Sequence, residues 1–535
     1  MDKPAVAEGL GVQPWWRGAC IYQIYPRSFA DTNGDGIGDL NGITAHLDYV
    51  ASLGVDGIWV SPFYTSPMRD FGYDVADYCG VDPMFGTIED FDRLVARAHE
   101  LGLKVLIDQV YAHTSEQHAW FVESRSSRDN PKSDWYVWKD AKPDGSPPTN
   151  WQSVFGGPAW TWDARRGQYY MHNFLKEQPQ LHVHNAQVQE AIIAAAKFWL
   201  DRGVDGFRID AINFAMHDPQ FRDNPATKRD VTKTRPFDFQ DKIYNQGHPD
   251  IVPFLERLAA AIRSYPDRFT VAEVGGDDAA REMKLFTDGD ARLDTAYSFV
   301  YLYANELTAE TVRDAIRSAE DAGADYWPSW AFENHDAPRA LSRWVEGRDP
   351  HAFTRLKTML LASLRGNIFL YYGEELGLPQ GEVPFERLVD PEAIANWPQT
   401  LGRDGARTPM PWQKEAAQGG FSTAEPWLPM MDTHLPLAVD VQEADAQSNL
   451  HWTRQMLALR EAHAALKLGT IRMIDTNHEV VAFERRYGEE VLVCAFNLGS
   501  ETVEWSACDQ CMMIASANGA NLAQLPPLGA YIARR

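Results

Sequence analysis

Val188-Gln-Glu-Ala-Ile-Ile-Ala-Ala-Ala-Lys-Phe-Trp-Leu200-Asp-Arg-Gly-Val-Asp-Gly206-Phe207-Arg208-Ile209-Asp210 decides the fold. Its first part is an apolar helical run, Val188 to Leu200, and a short strand pattern follows at Gly206 to Asp210. The same alternation extends in both directions. Before it come a strand at Ile21 to Tyr25, a helix at Gly42 to Leu53, a strand at Gly57 to Val60, a helix at Thr87 to Leu101 and a strand at Val105 to Val110. After it come a helix at Val252 to Ser264, a strand at Phe269 to Glu273, a strand near Trp330, a helix at Phe353 to Leu364 and a strand at Ile368 to Tyr371. Strands alternating with helices predict a parallel sheet, and room for eight such units favours an α/β fold of the closed (β/α)8 TIM-barrel type over a doubly wound sheet.

Two stretches break the rhythm. Between Tyr111 and about Gln180 the apolar periodicity gives way to Trp, Pro, Gly and Asp, which predicts a small domain inserted after the third strand. Pro379 to about Leu437 is irregular and too long for an idle loop, so it is expected to help build a site. Beyond a helical run at Leu450 to Lys467, short strand patterns at Glu479 to Phe483, Glu490 to Phe496, Thr502 to Ser506 and Met512 to Ala515 predict a C-terminal antiparallel β-sandwich. The division expected is a barrel of 1–110 and 181–455, an insert of 111–180 and a C-terminal domain of 456–535.

A chain of 535 residues is too long for one compact core. Its composition, 44% hydrophobic and 23% charged, is that of a folded protein. The formal charge of -25, with no local basic patch, excludes nucleic acid and anionic membrane as partners and suits a small neutral substrate. Cys20, Cys79, Cys494, Cys508 and Cys511 are few and lack metal-ligand spacing, so reduced thiols are expected. Met1 to Glu8 lacks a signal-peptide pattern, and no apolar run is long enough for a membrane span, which predicts a soluble cytoplasmic protein, monomeric or a homodimer.

Three strand ends each carry a carboxylate: Asp210, Glu273 and Asp336, the last in Phe332-Glu333-Asn334-His335-Asp336. Arg208 and Asp210, two apart on a strand, leave the same face, and a cation there is expected to keep Asp210 ionised. Glu273 precedes the flexible exit Val274-Gly275-Gly276; near two other carboxylates its pKa rises, which makes it a proton donor. Any one of these read alone is a structural ion pair, a loop residue or a turn cap. Together they are what cleavage of a glycosidic bond requires.

These segments, with Asp108-Gln-Val-Tyr-Ala-His113, resemble the signature regions of glycoside hydrolase family 13, the α-amylase superfamily. The likeness is closest to its α-glucosidase and oligo-1,6-glucosidase branch through Ile21-Tyr-Gln-Ile-Tyr-Pro-Arg-Ser-Phe, Asp70-Phe-Gly-Tyr73-Asp, Gln178-Pro-Gln-Leu and Gly402-Arg403-Asp-Gly-Ala-Arg-Thr-Pro-Met. The resemblance implies a retaining, exo-acting α-glucosidase without organic cofactor. Asp210 would be the nucleophile and Glu273 the acid/base, roughly 5 Å apart, while Asp336 would steady the distorted ring. It further implies that His113, Arg208 and His335 bind the glucosyl unit, that Tyr73 stacks on it, that Asp70 and Arg403 grip its non-reducing end, and that Phe155 and Phe174 wall the pocket.

Two positions depart from the pattern: Ala112 and His182 stand where the family commonly has Asn. Ala112 argues against an amylase-type calcium site between barrel and insert. Ala211, where α-1,6-preferring relatives tend to have Val, points to α-1,4 or broader substrates, maltose-like or sucrose-like. A transglucosylase or sucrose hydrolase is the nearest alternative, and a non-catalytic transporter-associated relative is disfavoured by the intact carboxylate set. Separately, Asp31, Asn33, Asp35, Ile37 and Asp39 recur at alternate positions like the opening of a calcium loop. Gly42 occupies the twelfth position, so this is not an EF-hand. The branch commonly holds a structural Ca²⁺ or Mg²⁺ in this loop.

Overall fold

The computed structural model describes residues 13–229, 235–275, 278–323, 326–398, 402–476, 479–506 and 510–535. The expectations for Met1 to Glu8, Gly276 and Cys508 lie outside them. Eight parallel strands run β1 (Cys20–Ile24), β2 (Gly57–Val60), β3 (Lys104–Val110), β4 (Gly206–Asp210), β5 (Phe269–Val274), β6 (Thr295–Ser298), β7 (Ser329–Ala331) and β8 (Asn367–Tyr371). Their order is β6-β5-β4-β3-β2-β1-β8-β7. The two ends of that order meet where Ser329 Oγ donates to Thr295 Oγ1 at 2.9 Å, closing the barrel.

The decisive stretch folds as read. The helix Ala186–Asp201 starts where Asn185 accepts from the Gln187 N–H and buries Val188, Ile192, Ala196 and Trp199 along one face. Gly203, at φ +92°, turns the chain back with a backbone that a side chain would resist. Asp205 then accepts from the Val105 N–H at 2.9 Å and pairs with Lys104 at 3.1 Å, which pins the start of β4 against β3.

Between β3 and β4 a three-stranded antiparallel sheet, with Gln168–Met171 central, packs over Trp151, Trp160 and Met171. The C-terminal part has a five-stranded antiparallel sheet and a two-stranded pair. Alternation along Val480–Tyr487 divides its two faces. Val480 and Ala482 pack with Leu525 and Val503 of the small pair, while Val481 and Phe483 join the main core.

Three strands carry weak sequence patterns. β6 is Thr-Ala-Tyr-Ser, with one large apolar residue; Thr470–Ile474 is half-exposed; Ala530–Arg534 ends the chain. One expectation fails: Cys511 is disulfide-bonded, not a reduced thiol, whereas Cys20, Cys79 and Cys494 are free. Among the described residues no helix is long and apolar enough to cross a membrane.

The helix Asn449–Ala462 is latched to the barrel floor by Arg460, which is buried and donates to the carbonyls of Ala362, Leu364, Gly366, Leu466 and Gly18. Arg460→Ala strips several buried carbonyls of their donor and is expected to cost about 3 kcal/mol. Denaturant unfolding checks this, and an unmoved midpoint would show that the latch is dispensable.

Candidate active site

The C-terminal ends of β3, β4 and β5 are neighbours, and their pairing sets Asp108 opposite Arg208 and Val110 opposite Asp210. Arg208 is fully buried. Its Nη1 donates to Asp108 Oδ1 at 2.6 Å and to Asp210 Oδ1 at 2.7 Å, its Nε donates to Tyr297 OH at 3.1 Å, and its Nη2 lies 2.5 Å from Glu273 Oε1. One cation thus touches carboxylates from three adjacent strands.

The charge balance decides protonation. Burial pushes Glu273 up to about 7; Arg208 opposes this, and the charges of Asp210 and Asp336 add to the rise. Burial also pushes Asp210 up to about 7 against Arg208, so the expected depression by the neighbouring cation is overridden. Burial is the larger cause, and the charge of Asp108, itself raised to about 6 by burial and paired with the same guanidinium, adds to the rise. Of the pair, Asp210 is the better anion, because it accepts a hydrogen bond from Arg208, whereas Arg208 Nη2 is not aimed at Glu273 as a donor. Glu273 instead accepts from the Ala211 N–H at 3.2 Å and from Tyr297 OH at 3.1 Å. The Ala211 backbone is left-handed, with φ 38° and ψ 39°, which turns its N–H toward Glu273.

A polar wall stands opposite. Asp336 Oδ1 accepts from Arg407 at 2.9 Å and Arg403 at 3.3 Å, and Asp336 Oδ2 lies 3.2 Å from His335 Nε2. Burial alone would raise the Asp336 pKa, but His335, Arg403 and Arg407 together hold it well below the usual carboxylate range. Gln23 Nε2 donates to His335 Nδ1 at 2.8 Å, which leaves the His335 proton on Nε2, toward Tyr73 OH and Asp336. The Tyr73 and His335 rings stack with centroids 5.2 Å apart. Arg403 also binds Asp70 at 2.8 Å and is itself gripped by Asp390, which accepts from its backbone N–H at 2.7 Å, its Nε at 3.1 Å and its Nη2 at 2.8 Å.

A cavity of about 400 Å³ opens between these groups. Asp210, Glu273, Asp336, Asp70, Tyr73, His113, Phe155, Phe174 and Arg403 all line it. Arg208 and His335 do not: both are fully buried behind it and reach it through the carboxylates they hold. The lining also includes Asn213, Arg235, Phe237, Phe299, Tyr303 and Glu392, none of which sequence reasoning singled out. They sit on the segments that follow the barrel strands, Asn213, Phe237 and Glu392 in short helical turns, and the only signal for any of them was the irregular stretch from Pro379, which holds Glu392. Tyr297 and Asp390 were missed as well, whereas Arg407 and Gln178 lay inside quoted motifs without a role. Gln178 Nε2 donates to Asp70 Oδ2 at 3.1 Å. At the two departures, Ala112 is buried and its carbonyl accepts from Leu181, and His182 Nδ1 lies 3.1 Å from the Asp134 carbonyl.

In the Asp31 loop, Asp31 accepts from the N–H groups of Asn33, Gly34 and Gly36 and from Ser422 Oγ. Asp39 holds Thr32 and caps the helix Leu40–Ala45 at Gly42. Asn33 Oδ1 and Asp35 Oδ1 each accept one main-chain N–H, from Asp35 and Ile37, and so retain lone pairs. Among the described residues no group of three or more His, Cys, Asp or Glu is placed to hold a metal ion, so only the Asn33 and Asp35 oxygens stand open to a hard divalent cation here.

The fold and the arrangement of carboxylates on three barrel strands define a barrel-based glycoside hydrolase class. The alpha-amylase catalytic-domain family matches residues 23–469, and the chain belongs to that family, within its α-glucosidase and oligo-1,6-glucosidase branch. A probable alpha-glucosidase of Rhizobium meliloti (strain 1021) is 52% identical over 497 residues, covering 91% of this chain and 90% of that one. An oligo-1,6-glucosidase of Heyndrickxia coagulans is 36% identical, covering 92% and 94%. A crystal structure described as an alpha-glucosyl transfer enzyme superposes with a TM-score of 0.94 at 49% identity, covering 98% of this chain and all of that one.

Tyr297 favours the charged form of Glu273 by donating to it. Tyr297→Phe should therefore raise the Glu273 pKa and move the high-pH limb of the rate profile upward by roughly half a unit. A limb that stays in place or moves down would exclude this hydrogen bond as a determinant.

Proposed function

We propose that the protein is a retaining, exo-acting α-glucosidase that removes terminal glucose from short α-glucosides. The observation that carries this reading is the convergence of Asp210 and Glu273 on the two arms of one buried guanidinium at the wall of a cavity. Asp210 attacks the anomeric carbon and forms a glucosyl ester while Glu273 gives its proton to the departing glycosidic oxygen. Glu273, now ionised, takes a proton from water as the water displaces Asp210, and the ester is hydrolysed with net retention. Contact with one guanidinium keeps the two carboxylates close together, in keeping with the ~5 Å of retaining enzymes rather than the wider inverting gap. Asp336, held ionised, stabilises the positive charge that develops on the ring.

Asp70, bridged to Arg403, closes the end that receives the non-reducing glucose, which supports cleavage of one residue at a time. Ala211 supports maltose-like, α-1,4 substrates over isomaltose: a β-branched side chain at its left-handed backbone would be strained and would fill the space beside the nucleophile. Glucosyl transfer is the second reading, favoured by the 49% identical transfer enzyme, because a sugar hydroxyl can replace water at the ester.

Asp210→Ala is expected to abolish release of glucose from maltose in a protein that still folds; a surviving parental rate would remove Asp210 from the nucleophile's role. In the parent, activity requires Glu273 protonated and Asp210 ionised. The rate should therefore fall as pH rises through about 7, where Glu273 loses its proton, and fall again toward acid as Asp210 gains one.

The Asp31–Asp39 loop is read as a structural Ca²⁺ or Mg²⁺ site, held by Asn33, Asp35 and the Ile37 carbonyl together with Asp31 and Asp39, and taking no part in the reaction. Adding Ca²⁺ to chelator-treated protein should raise its melting temperature, and Asn33→Ala with Asp35→Ala should erase that rise. Equal melting with and without the ion would dismiss the site.

A further inference from the structure

The Phe332-Glu333-Asn334-His335-Asp336 motif holds one acid that the chemistry has not used. Glu333 is buried, and so are Arg339, Lys357 and Glu374 around it, each at most 2% exposed. Two acids and two cations thus lie out of water within a few residues of Asp336. Lys357 Nζ, from the helix Pro350–Ser363, donates to Glu333 Oε1 at 3.2 Å and to Glu374 Oε1 at 2.7 Å. Arg339 Nη1 donates to Glu333 Oε2 at 3.2 Å and to the Tyr372 carbonyl at 2.7 Å, and its guanidinium lies over the rings of Tyr371 and Tyr372. Burial would raise the Glu333 pKa, but Lys357 and Arg339 hold it below its ordinary value, whereas burial pushes Glu374 up to about 7. Glu333 is the more firmly ionised of the two acids.

The place of Glu333 in the chain gives this cluster a task. One of its oxygens accepts from the Ala340 N–H at 3.2 Å and the other from Arg339, so its carboxylate ties together the two ends of the segment 334–338. Within that closed segment, Asn334 Oδ1 accepts from the Asp336 N–H at 2.9 Å, the His335 carbonyl accepts from Arg407 at 2.6 Å, and Asp336 faces the cavity. Lys357 moors the segment to the helix behind it. Glu374, whose other oxygen accepts from the Tyr371 N–H at 3.2 Å, moors it to the end of β8. Buried ion clusters are seldom more stabilising than apolar side chains of the same volume, so bulk stability does not account for four charged groups here. What they add is direction, because each hydrogen bond fixes a distance and an angle to one partner.

Resting on the glucosidase reading, we propose that Glu333 is a positioning residue for the reaction: with Lys357 it fixes the loop after β7 so that Asp336 stands where positive charge develops on the glucosyl ring. Glu333 does not touch the sugar and acts through Asp336 alone. Displacing such a group by about 1 Å is enough to cost on the order of 100-fold in rate. The loss falls on the charged transition state more than on a neutral sugar, which Asp70 and Arg403 also hold.

The test uses 1-deoxynojirimycin, a glucose analogue with a protonated nitrogen in place of the ring oxygen, and compares its affinity with that of glucose by calorimetry in mildly acid buffer. Glu333→Gln is expected to lower the ratio of the two affinities by about tenfold, and to lower kcat for maltose more than it alters KM. Lys357→Met should lower the ratio as well, by a smaller factor because Arg339 still holds Glu333. The two variants change the local charge in opposite senses, so a through-space effect of charge would move their ratios in opposite directions, whereas misplacement of Asp336 lowers both. A ratio unmoved in Glu333→Gln overturns the proposal, and so does one that fails to fall in Lys357→Met. If one single variant does not fold, the other decides. If both fail, the double variant Glu333→Gln with Lys357→Met is read by the same ratio, and failure of all three to fold assigns the cluster to stability alone, which overturns the positioning role. A parent that binds neither ligand and releases no glucose from maltose sinks the glucosidase reading, an outcome distinct from an unmoved ratio in variants of an active parent.

Discussion

The buried Arg208 guanidinium organises the active site. Removing a guanidinium from water costs several kcal/mol even after the surroundings relax, so buried Arg208 needs acceptors in place of water, and here they are carboxylates. Asp108, Asp210 and Glu273 provide them from three consecutive strands, and the barrel register that sets Asp108 opposite Arg208 makes the grouping unavoidable once the sheet closes. Three acids cannot all be neutralised by one cation. The surplus is expressed as carboxyls raised toward neutrality, with burial the larger cause and mutual repulsion adding to it. The arrangement that stabilises the arginine therefore leaves a proton available at the cavity wall, which general acid chemistry needs.

The second constraint is the opposite distribution of charge around Asp336. There, two arginines attend the acid, and its carboxyl is held well below the usual range. Arg403 is fixed at its far side by Asp390, so the chain from Asp390 through Arg403 to Asp70 and Asp336 is rigid across the loop after β8 and the loop after β2. One pocket thus holds carboxylates poised near neutrality beside one that stays ionised, a separation made by how many cations each shares.

Much of this was legible in the sequence, and what was missed has physical reasons. Strands β4 and β5 show themselves as short runs, Gly-Phe-Arg-Ile-Asp and Phe-Thr-Val-Ala-Glu, that follow a helical stretch and reach a carboxylate. β6 hides because Thr-Ala-Tyr-Ser packs small residues, and Tyr297, which touches both Arg208 and Glu273, was lost with it. The effect of Arg208 on Asp210 was misjudged because spacing along one strand reveals the partner but neither the depth of burial nor the charge of Asp108 across the sheet. Arg235, Glu392 and Tyr303 lie on separate segments after three different strands, where no periodicity ties one position to another. The disulfide at Cys511 left no mark in the cysteine count.

The two ends of the pocket differ in the kind of selectivity they can exert. At the closed end, Asp70 and Arg403 are locked by partners, so their hydrogen-bonding directions are fixed, and a group that cannot match them leaves buried polar atoms unpaired. Such sites reject wrong shapes by orders of magnitude. At the open end the contacts are apolar rings and side chains on three separate loops, whose attraction scales with area and carries little direction, so each contact discriminates by a small factor. A pocket built this way is strict about the group held at its closed end and graded about what meets its open end. The division follows from topology: rigid strands and a paired arginine network enclose the first group, and the loops that vary most freely surround the second.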